Sequence, residues 1–323
     1  MQPIIEVHQL SKQFKIRQQN GLIRGIFNPE FKYVDAVREI SFTVEKGEAV
    51  AFLGPNGAGK TTVTKMLTGL VYPSAGSATV LGHTPFDRKK SFLKRIGLVM
   101  GNKAGLNWDL TARQSFNLLK HIYEISETAY TKRLRELTTL LDVREHLDTQ
   151  LRRLSLGERM KLEIIGSLIH APEVLFLDEP TIGLDIPTKK NIRQFLRKIQ
   201  RELKTTLILT SHDMDDIEKV CDRVIIITKG TKIYDDSLQH LTDQYRQVRF
   251  VRLFFDTLPD AKAFSLLGEI VEKTPDSYLL KTNPEQLIPL ISLAAKGKNL
   301  VDIHIESIPL EEIIAELFSA DAV

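Results

Sequence analysis

Apolar residues fall into short unbroken runs that alternate with stretches of helical spacing. Residues 49–53 (Ala-Val-Ala-Phe-Leu), 174–177 (Val-Leu-Phe-Leu), 206–210 (Thr-Leu-Ile-Leu-Thr) and 224–228 (Val-Ile-Ile-Ile-Thr) are such runs. They predict strands buried on both faces of a parallel sheet. Val63, Met66, Leu67 and Leu70 follow the first run, and Ile192, Phe195, Leu196 and Ile199 follow the second. Each set places one apolar stripe along a helix. Residues 36–44 alternate apolar and polar, the pattern of a half-buried strand. Residues 4–7, 10–16, 77–81 and 96–100 are further strand candidates. From 111 to 170 the strands stop and helical stripes take over, so this stretch is expected to be an inserted helical subdomain. Near residue 240 the pattern changes again. Strand candidates at 248–255, 270–271, 278–280 and 300–305, with helices at 261–267, 287–295 and 310–318, predict a small α+β unit with an antiparallel sheet. The expected division is therefore 1–239 and 240–323.

The chemistry concentrates at the ends of the buried runs. Gly54-Pro55-Asn56-Gly57-Ala58-Gly59-Lys60-Thr61-Thr62 lies between the first run and the first helical stripe. It matches the phosphate-binding pattern of Gly, four residues, then Gly-Lys-Ser/Thr, in the order strand, loop, helix. Glycines let successive N–H groups point at phosphate oxygens, and the helix dipole adds to that attraction. Lys60 brings a charge to the β- and γ-phosphates, and the Thr61 hydroxyl is a ligand for Mg²⁺. Asp178 and Glu179 close the run at 174–177. Asp178 is expected in the Mg²⁺ shell across from Thr61, and Glu179 to polarise a water in line with the γ-phosphate. Ser211-His212-Asp213 closes the run at 206–210, on the ligand side of a parallel sheet, which places His212 near the γ-phosphate.

Ser155 and Glu158 have capping-box spacing at the start of a helix. That helix start, with Gly157, also suits a phosphate, and the two readings are compatible. Asp185 is expected to cap the following helix. Three aromatics, Phe27, Phe31 and Tyr33, precede the loop. Phe31 is the chosen adenine partner and Tyr33 the runner-up, against the alternative that either fills the core.

The bulk numbers narrow the class. A chain of 323 residues exceeds one ordinary core. A formal net charge of +3 argues against nucleic acid as a partner. One cysteine, Cys221, excludes an internal disulfide and suits a reducing compartment. No apolar run approaches the ~18 residues of a membrane span, and residues 1–7 do not resemble a signal peptide. The expected location is the cytoplasm, with any membrane association through a partner.

With these residues in place, the chain resembles the nucleotide-binding subunit of ABC transporters over roughly residues 4–240. The ordered set is the phosphate loop, Leu-Ser-Leu-Gly-Glu at 154–158, Leu-Phe-Leu-Asp-Glu-Pro-Thr at 175–181, Gly-Leu-Asp at 183–185 and Ser-His-Asp at 211–213. Thr181-Ile-Gly-Leu-Asp185 and the stretch 210–216 look like the branch serving ABC-2-type exporters.

The resemblance implies an α/β fold. Its parts would be a P-loop NTPase core with a parallel sheet, an antiparallel β subdomain and a helical subdomain, followed here by a small α+β domain. It also implies ATP hydrolysis with Mg²⁺, coupled to a separate polytopic permease at the inner face of the membrane. Two copies would pair head to tail, with Ser155, Gly157 and Glu158 of one meeting the ATP held by residues 54–62 of the other. Glu179 would be the general base, His212 the γ-phosphate sensor and Asp185 a contact across the seam. Asn102, or Gly101 on a tighter count, stands where the family usually has the Gln that touches Mg²⁺ and the attacking water. Leu156 and Glu158 replace the commoner Gly and Gln. An ABC-type ATPase acting on ribosomes or nucleic acid is the alternative. It usually needs two ATPase units, a long coiled coil or a basic surface. A binding-only regulator is a further alternative, opposed by the intact Glu179 and His212.

Overall fold

The computed structural model describes residues 3–17, 31–101, 103–244, 249–297, 299–306 and 310–320. The chain divides into two compact units, Met1–Asp236 and Ser237–Val323.

Among the described residues of the first unit, two sheets share one core. The smaller holds β1 (Ile5–Arg17), β2 (Phe31–Val44) and β4 (Ala75–Val80), antiparallel in the order β2-β1-β4. The larger runs β5-β6-β7-β3-β8-β9, from β3 (Ala49–Leu53), β5 (Ile96–Met100), β6 (Val174–Asp178), β7 (Thr206–Thr210), β8 (Arg223–Thr228) and β9 (Thr231–Ser237). Pairing from β5 through β8 is parallel. Every residue of β3, β6 and β7 is buried, which explains why their sequences do not alternate. Phe42 of the small sheet meets Phe52 of the large one edge-on at 5.4 Å, in a cluster that also takes Met66 and Leu67.

The expectation of two separate strands at 4–7 and 10–16 is corrected: they form one strand. Register shifts between Val7 and Leu10, Leu10 and Lys12, and Lys12 and Gln13 break the alternation, and Gln9 sits at φ 46°. A bulge of this kind makes a continuous strand look interrupted in sequence.

The helices are α1 (Lys60–Leu67), α2 (Lys90–Leu93), α3 (Ala112–Ile122), α4 (Glu127–Leu140), α5 (Leu156–Leu168), α6 (Ile186–Leu203) and α7 (Met214–Val220). Thr111 and Gln114 form a capping box on α3, and Ser126 caps α4. Strand register fixes where the chemistry gathers: Thr210 lies opposite Asp178 on one side and Phe52 on the other. The C-terminal ends of β6, β7 and β3 therefore form one edge.

In the second unit, α8 (Leu238–Gln244) precedes β10 (Arg249–Phe255), β11 (Glu269–Lys273), β12 (Ser277–Thr282), α9 (Pro284–Lys296), β13 (Leu300–Glu306) and α10 (Leu310–Ala320). The antiparallel order is β11-β12-β10-β13. The helix expected at 261–267 is a single 3-10 turn, Ala261–Ala263. Phe264 turns inward there, about 6.0 Å from the rings of Phe255 and Tyr278, and Gly268 leads into β11.

Candidate active site

The loop after β3 is shaped by close approach. Gly59 has φ 110°, and a Cβ there would lie 2.4 Å from the Ala36 carbonyl oxygen. A side chain would push the loop off β2. Gly59 also caps α1 without a side-chain hydrogen bond, so the first-turn amides of α1 carry no protein cap. On the open side, a Cβ at Gly57 would meet nothing within 4 Å. The loop is thus a cradle backed by β2 and open on one side.

Lys60 is buried at 6% exposure, and its Nζ donates to Gly54 O at 2.6 Å and Pro55 O at 3.1 Å. Burial pushes its ammonium below the ordinary value, while Glu179 and Asp178 pull it back. Thr61 Oγ1 donates to Asp178 Oδ1 at 2.9 Å, and Thr210 Oγ1 donates to the same oxygen at 2.5 Å. Glu179 follows with φ 55°, a left-handed conformation unusual for glutamate. Its N–H donates to Thr210 O at 2.9 Å, and its Oε2 lies 2.6 Å from His212 Nδ1. A cleft of about 310 Å³ is lined by Ala36, residues 56–62, Glu179, Ile182 and His212.

The structure therefore brings Lys60, Thr61, Asp178, Glu179 and His212 to one edge. Ser155, Gly157, Glu158 and Asp185 do not line that cleft. They form a second group at the starts of α5 and α6. The capping box is complete: Ser155 N donates to Glu158 Oε2 at 2.8 Å, and Glu158 N to Ser155 Oγ at 3.3 Å. The Ser155 N–H holds the Glu158 carboxyl below the usual carboxylate range. His146 Nε2 lies 3.2 Å from Glu158 Oε1. A Cβ on Gly157 would come within 2.9 Å of Thr188 Cγ2, so the two helix starts press together. Asp185 accepts from Thr188 N at 2.8 Å and caps α6.

Phe31 is not among the cleft residues. From β2 the cleft takes Ala36, whereas Phe31 pairs with Arg17, and Lys15 Nζ sits 4.0 Å from its ring centre. Tyr33, paired with Lys15, is also exposed and off the cleft. Asn102 and Phe27 lie outside the described residues. Gly101, next to Asn102, donates its N–H to Asp178 O at 2.7 Å.

Sequence reasoning missed three residues that tie separate segments together. Thr210 ties Asp178 to Glu179. Arg193 of α6, buried, reaches Asp216 at 2.5 Å, Asp213 at 2.9 Å and Asp215 at 3.1 Å. The other oxygen of Asp216 accepts from Ser211 Oγ at 2.7 Å and from Thr181 Oγ1. Glu163 of α5 accepts the amides of Gly105 and Leu106 at 3.1–3.2 Å, and burial pushes its carboxyl up. The sequence carried no distinct signal for Arg193, which is one of three cations, with Arg197 and Lys198, between the apolar positions 192 and 199.

These residues fit a nucleotide and a divalent cation. The open cradle suits phosphate oxygens, and the Thr61 hydroxyl beside the Asp178 carboxylate is a hard-oxygen donor set suited to Mg²⁺. A phosphate loop, paired carboxylates and a histidine at the C-terminal edge of a parallel sheet define a P-loop nucleoside triphosphate hydrolase.

Comparison narrows the class. Residues 37–182 match the family described as ABC transporter. The chain is 35% identical over 232 residues to the ABC transporter ATP-binding protein NatA of Bacillus subtilis (strain 168), covering 72% of this chain and 94% of that one. It is 36% identical over 266 residues to the Nod factor export ATP-binding protein I of a Burkholderia lata strain, covering 80% and 86%. In fold it is similar to the dimeric ATP-binding cassette MJ0796 bound to ADP and Pi, with a TM-score of 0.61 and 23% identity over 72% of this chain and 98% of that one. The chain belongs to the ATP-binding proteins of the ABC transporter family. It is an ATPase that uses ATP with Mg²⁺.

Proposed function

We propose that two copies of this chain clasp two ATP molecules at a shared seam and drive a polytopic exporter of the ABC-2 type. The observation that carries this reading is a site built in two halves. Lys60, Thr61, Glu179 and His212 line one open cleft, with Asp178 bonded to Thr61 behind it, while Ser155 and Gly157 stand at a helix start outside it. A second copy, turned head to tail, supplies its Ser155 helix start to close the cradle. Similarity to an export ATP-binding protein and to a dimeric cassette supports the same arrangement.

Within each cleft the loop amides and Lys60 hold the β- and γ-phosphates. Thr61 and Asp178 would hold Mg²⁺, which supplies charge neutralisation on the phosphates. Glu179 Oε2 takes the proton of the attacking water, and His212, 2.6 Å away, orients that carboxylate and reads the γ-phosphate. Closure by the partner excludes bulk water, and hydrolysis removes the contact that holds the seam.

Complementation in trans tests this. Lys60→Ala and Ser155→Arg should each abolish ATPase activity alone. A one-to-one mixture forms hybrid dimers with one intact cleft, so about a quarter of wild-type activity returns if subunits pair at random. A mixture as inactive as its components would place both halves of each cleft in one copy and refute the seam. Co-purification from membranes with a polytopic partner tests the exporter assignment.

A further inference from the structure

We propose that a groove on the far side of the first unit docks an acidic amphipathic helix from a partner protein. The groove has a volume of about 1040 Å³ and lies between α4, the end of α6 and the turn at 171–173. Lys46, Glu173 and Thr205, which precede β3, β6 and β7, also line it. It therefore sits at the N-terminal edge of the large sheet, opposite the nucleotide cleft.

Its floor is apolar, from Leu137, Leu168, Pro172 and Ile199, and Leu203 on its rim is 64% exposed. Seven basic and three acidic side chains surround that floor, a larger excess than the formal net charge of +3 of the whole chain. Of the acids, Glu173 is held by Arg95 and Lys46, and Glu202 by Lys198. Lys132, Arg135, Arg144 and Lys204 make no ion pair with a described residue.

The arrangement selects among occupants. The volume is at the top of the ~300–1,000 Å³ range of small-molecule sites. The cations are spread over α4, the segment after it and the end of α6. They match several separate carboxylates rather than one anionic head group. A helix with apolar residues at i, i+3, i+4 and i+7 and glutamates on its flanks satisfies floor and rim together.

The groove also has a route to the seam. It is bordered by Leu168 at the end of α5 and Leu203 at the end of α6, the helices that begin at Ser155 and Asp185. Their 13 and 18 residues carry a displacement over about 20 and 27 Å.

The probe is a fluorescent 18-residue peptide of Leu and Glu with that spacing, read by anisotropy against the full chain. Binding should saturate one to one. It should weaken at least tenfold in Lys132→Glu/Arg135→Glu and in Leu203→Asp, two variants with unchanged melting temperature and basal ATPase activity. A scrambled peptide of equal composition should bind at least tenfold more weakly, and a Lys-for-Glu peptide should not bind. Absence of saturable binding, or an affinity in either variant equal to that of the parent chain, overturns the proposal. So does displacement of the peptide by laurate at equimolar concentration, or preferential capture by phosphatidylglycerol vesicles, which would reassign the groove to a lipid.

Discussion

Replacing Arg193 by Met tests the cluster behind the cleft most sharply. The guanidinium is buried in α6 and meets carboxylates of Asp213, Asp215 and Asp216 at 2.5–3.1 Å. Asp216 is 1% exposed, and without Arg193 only the Ser211 and Thr181 hydroxyls remain on it. Leaving a buried carboxylate without its counter-charge costs about 3–5 kcal/mol. For a unit of this size that corresponds to a melting temperature lower by about 6–20 °C. Asp216→Asn in the same background removes the orphaned charge and should recover a large part of the loss. Because Ser211 and Asp213 flank His212, kcat should fall at least tenfold while KM for ATP stays within about threefold. Circular dichroism melts and steady-state ATPase assays on the single and double variants provide both readouts. A stability loss below about 1 kcal/mol, or a double variant as unstable as the sum of the single ones, would refute the reasoning.

Thr210→Val keeps the shape of the strand end but removes the hydroxyl donated to Asp178 Oδ1 at 2.5 Å. The Mg²⁺ concentration that half-activates the ATPase should rise several-fold, and an unchanged titration would free Asp178 from dependence on Thr210. His170 gives a pH signature. Burial lowers its pKa from 6.5 to about 4, its Nε2 bonds Ile96 O at 2.8 Å, and Tyr123 stacks on its ring at 3.9 Å. The unfolded chain takes up this proton as pH falls below 6.5 and the folded chain does not until near pH 4. The neutral histidine therefore favours folding fully above pH 6.5, and that advantage is lost across the window down to pH 4. The loss is roughly 3 kcal/mol. His170→Gln should flatten urea-derived stability against pH between 6.5 and 4, and an unchanged slope contradicts the buried neutral histidine.

Elements whose burial is uniform were legible in the chain. The fully buried β3, β6 and β7 appear as unbroken apolar runs because both faces are covered, and α6 shows a clean stripe because one face is. The gathering of candidate residues at their ends was legible for the same reason. Residue identity fixes what Lys60, Asp178, Glu179 and His212 can do, and strand order fixes that they meet. Geometry that depends on exceptions was not legible. The bulges of β1 hid its continuity. The inward turn of Phe264 replaced an expected helix by one 3-10 turn. Arg193, Thr210 and Glu163 act through partners 23, 32 and 58 residues away, and spacing within a motif carries no trace of such pairings. Ser155 shows the opposite case. Its capping role was predicted from spacing, and that role positions the same hydroxyl proposed to meet a partner's nucleotide.

The seam itself is tested most directly by the solution mass of the Glu179→Gln variant with saturating Mg-ATP, measured by light scattering. The variant should bind nucleotide and lack the proposed base, so the account predicts a mass near twice the 36.7 kDa of one chain, reverting to one chain with ADP. A variant that stays at 36.7 kDa with ATP, alone and beside its permease, contradicts it.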